Sequence, residues 1–297
     1  MFIKQLCIIV IAFNISCSIE PEKNSQLRTP QNDNSSDYKQ KCKTELNILN
    51  GSITKEDNYK EVSLLHNKTF CSGSWISKNL FLTAAHCITE DDLSIEINGL
   101  KKKPLFSKKH PKFKDELDYS ASGKVSKTDI PFDLALLWFE DNLASATAKI
   151  CDIDPKRNDR VTIVGYGYNT STGGGKVKRQ GVNNIRQIRP EGIIELKSLI
   201  TLWNDSGLQT VSGPGDSGSP MYSEDGCILG SVSSGSYGPL GLSKESFYVN
   251  LQSESSMSLL DKYELGDINS KLPDEYIPDE SSETAKEENE DSEPGEC

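Results

Sequence analysis

Three stretches of the chain hold residue types that could do chemistry together, although the sequence keeps them far apart. "GPGDSGSP", residues 213–220, sets Asp216 and Ser217 among three glycines and two prolines. Gly loses backbone entropy in a helix or strand and Pro cannot donate to a ladder, so this is a loop shaped for a backbone task. "LTAAHC", residues 82–87, brings an apolar strand to His86, and "DIPFDLALLWF", residues 129–139, opens another on Asp133. A carboxylate beside so much apolar surface is costly unless something pairs with it. A lone histidine at a strand end is ordinarily structural, and "GDSG" by itself is an ordinary turn. If His86 donates a ring N–H to Asp133, both oddities are resolved, and the other imidazole nitrogen is left as an acceptor for a hydroxyl.

Ser217 supplies that hydroxyl. A serine is a weak nucleophile at neutral pH and needs an adjacent base to take its proton as it attacks a carbonyl. His86 would do this and later protonate the leaving amine, while Asp133 fixes the tautomer and stabilises the imidazolium. Gly215 lets the chain turn so that its N–H and that of Ser217 face the developing oxyanion, each donor worth roughly 3 kcal/mol in such sites. The chemistry is acyl transfer, with His86, Asp133 and Ser217 catalytic and Gly215 and Ser217 forming the oxyanion hole.

The elements that must position these residues are strands. "FLTAAH", "LSIEI", "LALLWF", "VTIVGYG" and "CILGSVSSG" are short and β-rich, separated by Gly, Asn, Lys and Pro clusters. That pattern indicates an all-β barrel or sandwich. One helix is expected near residues 255–265, where Met257 with Leu260 and Leu259 with Tyr263 share a face. No internal repeat is visible.

The 297 residues suffice for a sizeable core. The net charge of −11 is concentrated at one end, because residues 272–297 hold eleven acidic side chains against Lys286 alone. The body is near neutral, so neither part offers the basic footprint that nucleic acid requires. Residues 1–16 read as an export signal, since the apolar run from Leu6 to Phe13 is too short to span a bilayer. Ile15, Ser16 and Cys17 resemble the end of a bacterial lipoprotein signal, which would attach the protein to a membrane through a lipidated Cys17. The protein is therefore expected to be exported, either secreted or a bacterial cell-surface lipoprotein. Residues 17–41 are polar and read as a disordered tether, and 271–297 as a disordered acidic tail. Six cysteines remain outside the signal and Cys17, an even number that suggests disulfides without fixing their connectivity.

These motifs resemble the chymotrypsin and trypsin family of serine proteases. "TAAHC" (83–87), "DLALL" (133–137) and "GDSGSP" (215–220) stand in that family's order and at its separations, while "ILNG" (48–51), "FCSGSWIS" (70–77), "HPKF" (110–113), "VGYG" (164–167) and "SVSSG" (231–235) extend the likeness over residues 48–265. The resemblance implies two six-stranded antiparallel β-barrels with the active site between them, a C-terminal helix, and a protease domain at 48–270 acting as a monomer on a protein or peptide substrate without cofactor or metal. It implies a short propeptide at 42–47, removed by an activating protease, after which the amino group of Ile48 pairs with Asp216. Asn47 departs from the basic residue that trypsin-like activators cut after. By the same comparison Cys71 pairs with Cys87 and Cys42 with Cys151, leaving Cys227 and Cys297 over. The implied substrate pocket is built from Val211, Ser212, Ser233, Gly235 and Ser246. Val211 stands where trypsin-like members carry an aspartate, so apolar or small residues are expected at the cut site, although a one-residue slip would bring Glu245 into the pocket.

Other readings fit less well. A lipase elbow needs glycine where Ser219 stands. "STGGGKV" lacks the first Gly and the Ser or Thr of a phosphate loop, and the cysteines lack the close pairs of a zinc site. An alternative from another class is an inactive protease fold used as a surface binding or adhesion protein, against which the retained triad residues stand. The seven lysines of "KKKPLFSKKHPKFK", residues 101–114, read as a solvated face or as a site for an acidic partner or the protein's own tail.

Overall fold

The structure, a computed structural model, describes residues 51–55, 57–89, 93–97, 100–114, 128–140, 142–167, 176–199, 208–237, 242–263 and 272–276. The export signal, Cys17, the tether, the propeptide, Ile48 and most of the acidic tail lie outside the described residues.

The strands are β1 (Ser52–Ile53), β2 (Val62–His66), β3 (Phe70–Trp75), β4 (Leu80–Thr83), β5 (Ser94–Ile97), β6 (Leu100–Lys102), β7 (Phe106–Lys109), β8 (Ala135–Trp138), β9 (Arg160–Gly165), β10 (Arg179–Asn184), β11 (Gln187–Arg189), β12 (Ile193–Leu199), β13 (Pro220–Tyr222), β14 (Ile228–Tyr237) and β15 (Ser243–Asn250), followed by helix α1 (Glu254–Leu260). They form two curled antiparallel sheets, ordered β6-β5-β2-β3-β4-β8-β7 and β1-β10-β9-β13-β14-β15-β12-β11. The all-β expectation therefore holds, with seven and eight strands among the described residues in place of six and six. The second sheet gains β1, which pairs Ser52 with Gln180, and the short hairpin of β11 on β12.

The continuous apolar run of β8 has a structural reason, since both of its faces are buried. Leu137 joins the core of the first sheet with Trp75, Phe81 and Phe139. Leu136 and Trp138 face a shared core with Val164, Ile228 and Val249 of the second sheet. Leu259, Leu260 and Tyr263 close that shared core from the helical end. Helix α1 starts where the Ser253 hydroxyl accepts the Ser256 N–H, a cap that satisfies one of the first-turn donors. It ends at Leu260 and continues as a 3-10 turn through Tyr263, which keeps Leu259, Leu260 and Tyr263 of the expected face buried and Met257 half-buried.

Cys71 and Cys87 are bonded, closing the chain that carries His86. Cys151 is bonded to Cys227, which corrects the expected bridge to Cys42. The backbone explains this. The Cys151 N–H donates to Ile228 O and the Ile228 N–H to Lys149 O, laying residues 149–151 alongside the start of β14. That register brings Cys151 and Cys227 to a Cα separation of 5.0 Å. Closing so long a loop restricts the unfolded chain by about 4 kcal/mol on the loop-entropy account. Cys42 and Cys297 lie outside the described residues.

Candidate active site

His86 sits in a 3-10 turn, Ala85–Cys87, directly after β4, and Asp133 caps a second 3-10 turn, Ile130–Phe132, directly before β8. Because β4 and β8 are neighbours, with Thr83 opposite Ala135, the two turns meet at one end of the pair. The His86 ring Nδ1 lies 2.7 Å from Asp133 Oδ2, and the His86 backbone N–H donates to Asp133 Oδ1 at 2.9 Å. The carboxylate is wholly buried, and the Ser233 hydroxyl donates to its Oδ2 at 2.6 Å. Three donors thus face one acceptor-only group, which answers the cost of burying it. The Nδ1–H tautomer that this pairing selects leaves Nε2 as an acceptor.

Ser217 lies in the turn before β13, with its main chain fixed on both sides. The Ser72 N–H donates to Ser217 O, the Gly218 N–H donates to Val232 O, and the Ser72 hydroxyl donates to Gly215 O while accepting the Tyr166 N–H. Gly215 and Gly218 adopt φ of +89° and +82°, the left-handed region that suits glycine. A methyl on Gly215 would strike the Phe70 ring, and one on Gly218 would strike Ser72 O and the Thr83 hydroxyl. Among the described residues, no group accepts the N–H of Gly215 or Ser217. These two amides are the donors expected of an oxyanion site.

Asp216 turns the opposite way. It is fully buried, and its carboxylate accepts the Gly167 N–H at 2.7 Å and the Gly213 N–H at 2.8 Å. It therefore ties "VGYG" to the loop carrying Ser217. Ile48, its expected partner, falls outside the described residues.

The residues expected to form the substrate pocket also come together. The hydroxyl of Ser246 on β15 accepts both the N–H and the hydroxyl of Ser212 at 2.8 Å, Gly235 pairs with Ser246 across the β14–β15 ladder, and Val211 is buried in the second core. Glu245 points away, to Arg186 at 3.1 Å and Lys197 at 3.3 Å, so it is Ser246 that faces Ser212. Ser233 lies on β14 two residues before Gly235, and its hydroxyl goes to Asp133.

Two residues near the site escaped the sequence reading. Ser72 holds the oxyanion turn at two points, and its only signal was a polar residue inside β3, all six of whose residues are buried. Lys244 lies two residues before Ser246 and so on the same face of β15. It is buried, and its Cε lies against Gly235, 3.3 Å from where a methyl there would sit. Burial pushes its ammonium down to about 8, against the attraction of Asp216.

The Nδ1 or Nε2 of His86 and the sulfurs of Cys71 and Cys87 cluster within 4.8 Å, but both sulfurs are committed to a disulfide and are poor metal ligands. A cavity of about 650 Å³ lined by Phe132, Arg189, Ile193 and Ser255 opens beside the turn before Asp133 and touches neither His86 nor Ser217.

The family model described as Trypsin matches residues 48–256. Trypsin Tyr p 3.0101 of Tyrophagus putrescentiae is 62% identical over 34 residues, 11% of this chain and 12% of that protein. The chain thus spans about an eighth of the length of that curated relative. Among solved structures, neuropsin, a serine protease expressed in the limbic system of mouse brain, is similar with a TM-score of 0.54 at 18% identity, over 71% of this chain and 97% of that one.

Proposed function

The chain belongs to the trypsin family, and from that premise we propose that it is a serine endopeptidase working through an acyl-enzyme, with Ser217 as nucleophile, His86 as general base and acid, and Asp133 as the group that orients His86. The observation that carries this is the Asp133 carboxylate, buried and shared by the His86 ring, the His86 N–H and Ser233. Ser217 Oγ attacks the scissile carbonyl carbon as its proton passes to His86 Nε2. The oxyanion forms against the N–H groups of Gly215 and Ser217. Collapse breaks the C–N bond, and His86 returns the proton to the departing amine. Water then repeats the sequence on the ester, with His86 taking its proton and Ser217 leaving.

The enzyme is read as an exported monomer acting on protein or peptide. The support is the sequence of residues 1–17, including Cys17 as the lipid-anchored residue, together with two disulfides, which persist in oxidising compartments. Activation exposes the amino group of Ile48, which pairs with buried Asp216 and orders the loop holding Gly215. The test is fluorophosphonate labelling of the purified exported protein followed by N-terminal sequencing of the labelled chain. The expected product carries the probe on Ser217 and begins at Ile48, alongside the short piece released before it. Enzyme that both turns over and takes up the probe, yet whose sequence begins only at Cys17 or Ser18, would defeat the activation step.

The pocket takes apolar or small side chains and refuses basic ones. Val211 offers no carboxylate, the Ser212–Ser246 bond narrows the base, and Lys244 remains largely protonated at pH 7 beside Gly235. Peptides with Ala, Val or Leu before the cut are expected to show kcat/KM at least ~10-fold above those with Arg or Lys, the scale that pocket contacts set. Lys244→Ala should narrow that gap from the basic side. A library profile led by Arg or Lys overturns the assignment of the pocket while leaving the labelling result untouched.

A further inference from the structure

The start of the acidic tail is seated on the first sheet. Residues 272–276 form a turn closed by the Tyr276 N–H on Pro273 O. The Glu275 carboxylate bridges two ammonium groups, Lys108 Nζ on β7 at 2.6 Å and Lys262 Nζ after α1 at 2.7 Å. Their hydrogen bonds hold its carboxyl down to about 2. Next to it, the Tyr276 ring meets Phe106 edge-on at 6.5 Å, and Phe106 in turn packs against Trp138. This contact pins the chain to one place on the surface.

That place is the lysine-rich edge. β6 and β7 are the two outer strands of the first sheet and are joined by only three residues. From Leu100 to Lys114 the chain carries seven lysines and no acidic residue, and Lys101, Lys103, Lys112 and Lys114 are exposed. Beyond Tyr276 the remaining 21 residues carry nine carboxylates against one lysine. Extended, they reach up to about 70 Å, more than enough to follow the whole edge. Screening limits attraction between exposed charges to about 8 Å at physiological salt, so such a tail is held only if its root is already close. Glu275 and Tyr276 put it there, and tethering raises its local concentration into the millimolar range.

We propose that the edge formed by β6, β7 and residues 110–114 is an anion-binding surface whose occupant is the protein's own acidic tail, residues 277–297, rooted by Glu275 and Tyr276. An outside polyanion would then gain this surface only by displacing the tail. The proposal is independent of the hydrolytic reading.

The test is zero-length carbodiimide cross-linking of the full-length Ser217→Ala protein, read by mass spectrometry. The variant avoids self-digestion. Expected are intramolecular links from Lys101, Lys103, Lys112 or Lys114 to carboxylates between Asp279 and Glu296, weakened about tenfold on raising salt from ~0.05 to ~1 M. Converting those four lysines to Gln should remove the links without moving the thermal midpoint. A chain ending at Tyr276 should bind the synthetic peptide 277–297 and heparin, with the peptide competing against heparin. Tail carboxylates linked to lysines elsewhere, links only between different molecules, or a truncated chain that binds neither probe would each overturn the proposal.

Discussion

Ser217→Ala is expected to lower kcat by roughly a million-fold while leaving the fold intact. The main chain at this position is held by the Ser72 N–H on Ser217 O and by the Gly218 N–H on Val232 O, and neither contact needs the hydroxyl. The thermal midpoint should therefore barely move, since surface or half-buried changes away from special features stay within about 0.5 kcal/mol. What disappears is the only group that can form the ester. The amides of Gly215 and Ser217 still face the substrate carbonyl, so roughly 10³-fold to 10⁴-fold of catalysis over water should survive. His86→Ala should fall about as far, and the double variant no further, because the two act as one unit. The checks are kcat on a peptide substrate, the fluorophosphonate label and the melting curve, taken together. The adhesion-protein reading makes the opposite forecast: the unaltered, processed chain would neither label nor cut, and Ser217→Ala would change nothing.

The sequence made the chemistry legible because its most constrained residues were also its oddest. Asp133 before an apolar strand and Ser217 among glycines each needed a partner, and the β4–β8 pairing brings His86 and Asp133 to one end of the same sheet. The "LALLWF" run reads as a strand, and β8 is one, although its burial on both faces is evident only in the structure. Less legible were relations that depend on register. The bridge of Cys151 with Cys227 follows from a single parallel pairing, Ile150 with Ile228, that no local pattern encodes. Whether Ser246 or Glu245 turns toward Ser212 is decided by one step of a two-residue period, and it shows only in the Ser212–Ser246 hydrogen bonds and the Glu245 ion pairs with Arg186 and Lys197. Ser72 and Lys244 were missed for a related reason. A serine in a strand, or a lysine near a strand end, has no signature of its own until the neighbouring strand is placed beside it.

Asp133→Asn should lower kcat by about 10⁴-fold at pH 7, although it changes the side chain only by replacing one carboxylate oxygen with an NH₂ group. The reason lies in the three donors around the carboxylate. Oδ1 accepts the backbone N–H of His86, while Oδ2 accepts the His86 ring and the Ser233 hydroxyl. An amide offers one accepting end and one donating end. If its NH₂ took the place of Oδ1, it would confront a backbone N–H that cannot reverse, leaving buried donors unmatched at roughly 1–3 kcal/mol. If the NH₂ takes the place of Oδ2, the Ser233 hydroxyl can rotate to accept, and the His86 ring can move its proton to Nε2. The second arrangement is the cheaper one. It preserves the fold and inactivates the base, because an Nε2 that already carries hydrogen cannot receive one from Ser217. Three measurements separate this from simple damage. The melting midpoint should stay close to that of the unaltered enzyme, nitrogen resonances of the His86 ring should report the Nε2–H tautomer, and Ser233→Ala, which removes one donor and leaves the tautomer alone, should cost only about tenfold in kcat. An Asp133→Asn enzyme that kept kcat within tenfold of the original would show that His86 is not oriented through this carboxylate, and the assignment of the base would fall with it.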